Sequence, residues 1–130
     1  MTNKTFIDLS GQYTVHGFDI HDGPFSGSRL VIALDDKCSD FAHGHIAYQC
    51  KVFTADGIEA YHDAIIANGN NFAMSFKNIL PEQESDYGVL FGTVTHTQDE
   101  SGKYRTQLHA NYYQPEYKGG GYGTATCVKE

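Results

Sequence analysis

Cysteine is scarce in this chain, three residues at positions 38, 50 and 127. So few thiols, and an odd number of them, exclude the disulfide framework on which short secreted domains rely. Cys50 and Cys127 fall in strand patterns and are expected as buried thiols, whereas Cys38 lies in a polar loop and is expected to be exposed. Basic residues are scarce too, nine Lys and Arg against sixteen Asp and Glu, for a net charge of −7. Nothing supplies the clustered cations that displace counterions from a phosphate backbone, so nucleic acid is excluded as a partner, while a basic protein surface is permitted. No window approaches the length of a membrane span. The opening, Met1-Thr-Asn-Lys-Thr-Phe-Ile7, has no long apolar run and no cleavage-site pattern, so a cytoplasmic protein without membrane contact is expected. Catalytic signatures are missing as well: there is no Gly-x-Ser-x-Gly, His-Glu-x-x-His or Cys-x-x-Cys. Lys118-Gly-Gly-Gly-Tyr-Gly123 lacks the strand–loop–helix setting and the Lys-Ser/Thr ending of a phosphate loop. No cofactor is implied, and an enzyme ranks last among the functional classes.

What is present favours strands and turns: fourteen glycines, nine tyrosines and eight phenylalanines. The length fits one domain over residues 1–130. Residues 1–10 form a leading segment with Phe6 and Leu9 as anchors. Strands are then expected over Gly11 to Phe18, Ser26 to Leu34 and His45 to Thr54, the last with Ile46, Tyr48, Cys50 and Val52 as its apolar row. Residues 58–67 read two ways. Asp56 and Glu59 would make a helix capping box, with Ile58, Tyr61 and Ile65 on one side; alternatively Asn68-Gly69 turns a strand into the strictly alternating Phe72, Met74 and Phe76. Residues 78–86 and 114–121 are loops, and a last strand covers Tyr122 to Val128.

The best-marked element is a hairpin over residues 87–113. A loop closed by Gln98 and Lys103 places a turn on Asp99-Glu100 and Gly102 in a left-handed position. That register pairs Thr97 with Tyr104, Thr95 with Thr106, Thr93 with Leu108, Phe91 with Ala110 and Val89 with Tyr112. One face is then apolar. The other carries Leu90, Gly92, Val94 and His96 against Asn111, His109, Gln107 and Arg105.

About eight strands joined mostly by short turns give an all-β fold: an antiparallel up-and-down barrel or sandwich, with one short helix at 58–67 as the open alternative. Leu9-Ser-Gly-Gln-Tyr13 resembles the Leu-Thr-Gly-x-Trp opening of the avidin-like group of calycin barrels. Gly23-Pro-Phe-Ser-Gly-Ser28 resembles that group's second-strand entry, and Phe91-Gly92 with Gly102-Lys103 its late hairpin. The resemblance implies an eight-stranded barrel. It does not imply biotin, which that group holds with tryptophans; this chain has none, and Tyr13 stands where the first would be.

Three functional readings follow. The first is a non-enzymatic small-ligand-binding barrel. Its contacts would come from the polar row His96, Arg105, Gln107, His109 and Asn111, with Tyr113, Tyr117 and the glycine loop at the mouth; such a row suits an anionic or hydrogen-bonding ligand. The plain alternative makes this row the wet outside of the sheet. The second reading is an acidic protein-binding module, an inhibitor or immunity protein for instance, with room for a homo-oligomer. The third is an enzyme using His109 as acid or base, or a metal at His43 and His45. Those two imidazoles would share one side of a strand, as in cupins, although Gln49 stands where cupins place a Glu and His16 or His62 would have to complete the set.

Overall fold

Side-chain alternation resolves into eight strands in the computed structural model, which describes residues 6–130; the first five residues of the leading segment lie outside the described residues. The strands are β1 (Gly11–Asp19), β2 (Gly23–Leu34), β3 (His45–Phe53), β4 (Glu59–Asn68), β5 (Asn71–Lys77), β6 (Tyr87–Gln98), β7 (Tyr104–Gln114) and β8 (Gly121–Lys129). Each pairs antiparallel with the next, and β8 returns to β1, so the sheet is a closed barrel with no free edge. Two short 3-10 turns, Phe41–His43 and Tyr117–Gly119, sit in the connections.

Residues 59–67 belong to β4, which pairs over nine positions with β3 and over five with β5; Ile58 precedes the strand, and residues 58–67 form no helix. Their alternation reads poorly because a register shift falls opposite Val52 and Phe53, and because the inward row Tyr61, Asp63, Ile65 and Ala67 includes a carboxylic acid. Asn68 and Asn71 close a tight turn in which Gly69 takes φ +60°, the left-handed geometry that suits hairpins.

The late hairpin forms one residue out of the expected register: Gln98 faces Tyr104, Thr95 faces Gln107, Val94 faces Leu108 and Leu90 faces Tyr112. Gly102 does take a left-handed φ, +86°. The turn, however, begins at Asp99 instead of Gln98. Asp99 Oδ1 accepts the backbone N–H groups of Ser101 and Lys103, and the Gly102 N–H donates to the Asp99 carbonyl. Aspartate at the first position and glycine at the fourth is the type I preference, and it moves the closing pair by one. Leu90, Gly92 and Val94 therefore share the inner side with Leu108, Ala110 and Tyr112, while Val89 and Phe91 lie half-exposed on the outer wall.

The chain makes the two barrel ends unlike. At one end the leading segment plugs the interior. Leu9 is 1% exposed; its carbonyl accepts the Tyr13 hydroxyl at 2.7 Å, and its N–H donates to Tyr48 Oη at 3.2 Å. Tyr13 itself is fully buried, and burial pushes its hydroxyl pKa far up, so the phenol remains a donor. The opposite end is bordered by the β1–β2, β3–β4, β5–β6 and β7–β8 connections and has no such plug among the described residues.

Tyr13→Phe tests the plug. It strands the buried Leu9 carbonyl without its partner and should cost about 1–3 kcal/mol in urea unfolding. Unchanged stability would mean that the phenol is not a clamp.

Candidate functional site

Between the plug and the open end the barrel encloses a cavity of about 340 Å³, at the lower end of the range for small-molecule sites. Its walls are apolar: Val15, Leu30, Ile65, Met74, Leu108 and Ala125 all point inward. Acidic, amide and phenolic side chains enter near the open end, where Asp19, Asp22, Asp86, Tyr61, Tyr112, Gln114 and Tyr117 join the lining. Ser28 adds one hydroxyl.

Strand parity places these groups. Asp19 ends β1 on the same side as Tyr13; Gln114 ends β7 in phase with Leu108, Ala110 and Tyr112. Tyr112, Gly123 and Asp19 then lie side by side across β7, β8 and β1. A Cβ at Gly123 would stand 2.4 Å from the Tyr112 hydroxyl oxygen. Glycine there lets the ring cross β8, and the hydroxyl donates to Asp19 Oδ2 at 2.5 Å. Asp19 Oδ1 also accepts the backbone N–H groups of His21 and Asp22, at 2.8 and 3.0 Å. Asp86 is held from three sides: by the Tyr61 hydroxyl, by Asn78 Nδ2 at 2.9 Å and by Gln114 Nε2 at 2.8 Å. Asp19 and Asp86 are 5% and 6% exposed.

The rings carrying those hydroxyls form a chain around the rim. Phe76 meets Tyr61 edge-on at 5.9 Å and Tyr112 edge-on at 6.1 Å between centroids, the geometry aromatic quadrupoles prefer. Burial, and then hydrogen bonding to Asp86 and Asp19 respectively, drives the Tyr61 and Tyr112 hydroxyl pKa values far up, so both keep their protons. Farther out, Asp22 accepts the Tyr117 hydroxyl at 3.0 Å and Lys118 Nζ at 2.5 Å. The Lys118 hydrogen bond, followed by that of Tyr117, holds the Asp22 carboxyl below its usual range.

Of the residues expected at the site, Tyr117 reaches it. Arg105, Gln107, His109, Asn111 and Tyr113 lie on the outer wall, because the one-residue register change separates β7's polar row from Leu90, Gly92 and Val94. His109 Nε2 meets Thr95 Oγ1 at 3.0 Å, and Arg105 Nε lies 3.5 Å from Asp99. His109 and Asn111 border a second depression, about 650 Å³, whose walls include the exposed Phe91, Thr93 and Thr124. His96 lies at the plugged end, stacked on Tyr104 at 4.8 Å and bonded to the Thr106 hydroxyl. His43 and His45 do not share a strand. His43 sits in a 3-10 turn capped by Asp40, whose carboxylate it meets at 2.8 Å, and Gly44 turns the chain at φ +74° before β3 begins. Among the described residues, no three His, Cys, Asp or Glu gather as a metal site.

The residues that do line the rim carried one sequence signal: polar side chains at the ends of strands, in phase with the apolar row. The two inner thiols keep their protons. Burial pushes both Cys50 and Cys127 up to about 12, the former also through the charge of Asp63. Cys38 is exposed.

No family model, curated protein or solved structure matches the chain.

Asp63 is a separate feature beside the site. It faces Cys50 and is 8% exposed. Its Oδ1 accepts the Lys77 N–H at 2.8 Å, and its Oδ2 is buried without a partner. Burial, with the charge of Asp86, raises its pKa to about 7 against the opposing Lys77 bond. The folded state therefore keeps a proton that the unfolded chain loses near pH ~4. Stability from this group falls as pH rises from there to about 7, and is level above it, by a total on the order of 4 kcal/mol. Asp63→Asn should remove that decline, so the difference between variant and parent in urea unfolding should grow from pH 4 to 7. A difference independent of pH would contradict this assignment.

Proposed function

We propose that this protein is a non-enzymatic binding domain that takes a small, largely apolar ligand into the barrel through its unplugged end. The observation that carries this reading is a cavity of about 340 Å³ with apolar walls, stopped at one end by Leu9, Tyr13 and Tyr48. A closed barrel under no constraint to bind would gain packing contacts by filling such a space. Anchoring of Tyr61 and Tyr112 by carboxylates instead keeps their rings at the wall. The likeness to avidin-like barrels extends, on this reading, to use of the interior as the ligand chamber. The ligand differs, since Tyr13 is committed to the floor.

An uncharged naphthalene-type fluorescent probe tests the reading. It should bind saturably, with enhanced emission, to the parent protein. Ala125→Leu thrusts a larger side chain into the cavity and should weaken binding by roughly tenfold or more, while unfolding stays cooperative. No saturable binding to the parent, or equal binding by a folded Ala125→Leu variant, would overturn it.

A further inference from the structure

We propose that the polar group of the ligand is an organic cation, an ammonium, amidinium or guanidinium, whose N–H donors bind at Asp86 and Gln114; this rests on the cavity reading above.

Gln114 is 6% exposed and lines the cavity. Its Nε2 lies 2.8 Å from Asp86 Oδ1. A carboxylate oxygen cannot donate, so this contact fixes which way the amide points. Oε1 is left buried with no hydrogen-bond partner. An unmet acceptor on a side chain that lines a cavity can take a donor once the amide turns toward it.

Asp86 offers a second acceptor beside it. The Tyr61 hydroxyl and Asn78 Nδ2 both use Oδ2, whereas Oδ1 takes Gln114 alone. A carboxylate has about four lone-pair sites, two on each oxygen, so Oδ1 keeps one free next to Gln114 Oε1.

The rest of the rim has the same character. Each of the three rim tyrosines spends its single hydroxyl proton on a carboxylate: Tyr61 on Asp86, Tyr112 on Asp19 and Tyr117 on Asp22. The cavity lining contains three aspartates and no Lys, Arg or His. Of the bases at this end, Lys118 is held by Asp22, and the His21 ring, edge-on to Tyr117, donates from Nε2 to the Gly120 carbonyl at 2.8 Å. Such a rim repels a carboxylate and rewards a positively charged donor. A bare metal ion fits less well, because among the described residues the acids do not converge into a ligand set. An N–H group that donates along separate directions does fit. The body of the ligand then lies against the apolar walls, with its charge at the mouth.

A matched series competing with the uncharged probe tests this: 2-phenylethylammonium, 2-phenylethanol and 3-phenylpropionate, which share a ring and differ in the head group. The ammonium should bind roughly tenfold or more tighter than the alcohol, as a charge-assisted hydrogen bond allows, and the carboxylate should bind weakest. Gln114→Met should shrink the ammonium's advantage over the alcohol to a few-fold (roughly two- to fourfold). Asp22→Asn, at an exposed position, should reduce it partway. If the alcohol equals the ammonium, if the carboxylate binds as tightly, or if the preference survives both substitutions unchanged, the cationic assignment falls while the cavity reading stands. If the probe itself does not bind, both fall.

Discussion

Two carboxylates, Asp19 and Asp86, are buried at the open end of the barrel, and among the described residues no basic side chain pairs with either. Burying a charge is costly unless donors replace its water. Here they are replaced by dipoles. Asp19 collects two backbone N–H groups and a phenol, and Asp86 collects a phenol and two side-chain amides. Meeting that requirement fixes most of what surrounds the cavity. It ties the β1–β2 turn to β7 through Tyr112, and the β5–β6 loop to β4 and β7 through Tyr61 and Gln114. It also determines the rim's chemistry, because donors consumed in holding two carboxylates leave acceptors behind.

The barrel uses tyrosine for opposite purposes at its two ends. Tyr13 and Tyr48 point their hydroxyls at the backbone of Leu9 and close the floor. Tyr61 and Tyr112 point theirs at aspartates and stand aside from the interior. The difference lies in the partner. A backbone segment can enter the barrel and be clamped there, whereas a strand-end carboxylate stays at the wall and keeps the ring with it. Gly123 is part of this arrangement, since any side chain there would collide with Tyr112 before it reached Asp19.

Eight strands and their order could be read from the chain because alternation and turn residues agree along most of it, as at Phe72, Met74 and Phe76. The late hairpin shows where that reading stops. The expected register put Val89, Phe91 and Thr93 on the apolar face, whereas the observed one puts Leu90, Gly92 and Val94 inside, and the difference lies in whether Asp99 opens the turn or sits within it. The Asp99 carboxylate, accepting the Ser101 and Lys103 N–H groups, decided the matter. One residue of slip was enough to send His109 and Asn111 outside. The rim was hard to read for another reason. Asp19, Asp86 and Gln114 stand where a strand meets a loop, and acidic or amide residues at such places usually face water. Their burial depends on partners brought in from β4, β7 and β8, which no local pattern reveals.

Both proposals require that a ligand enter the interior and not settle on the outer wall. A methyl-resolved NMR titration of the intact protein with 2-phenylethylammonium addresses this directly, because Met74 and Leu108 place methyl groups on the cavity wall alone while Thr93 and Thr124 border the outer depression. Interior binding gives saturable shifts at Met74 and Leu108, with the outer threonine methyls unmoved. Shifts confined to Thr93 and Thr124, with Met74 and Leu108 silent, would place the ligand outside.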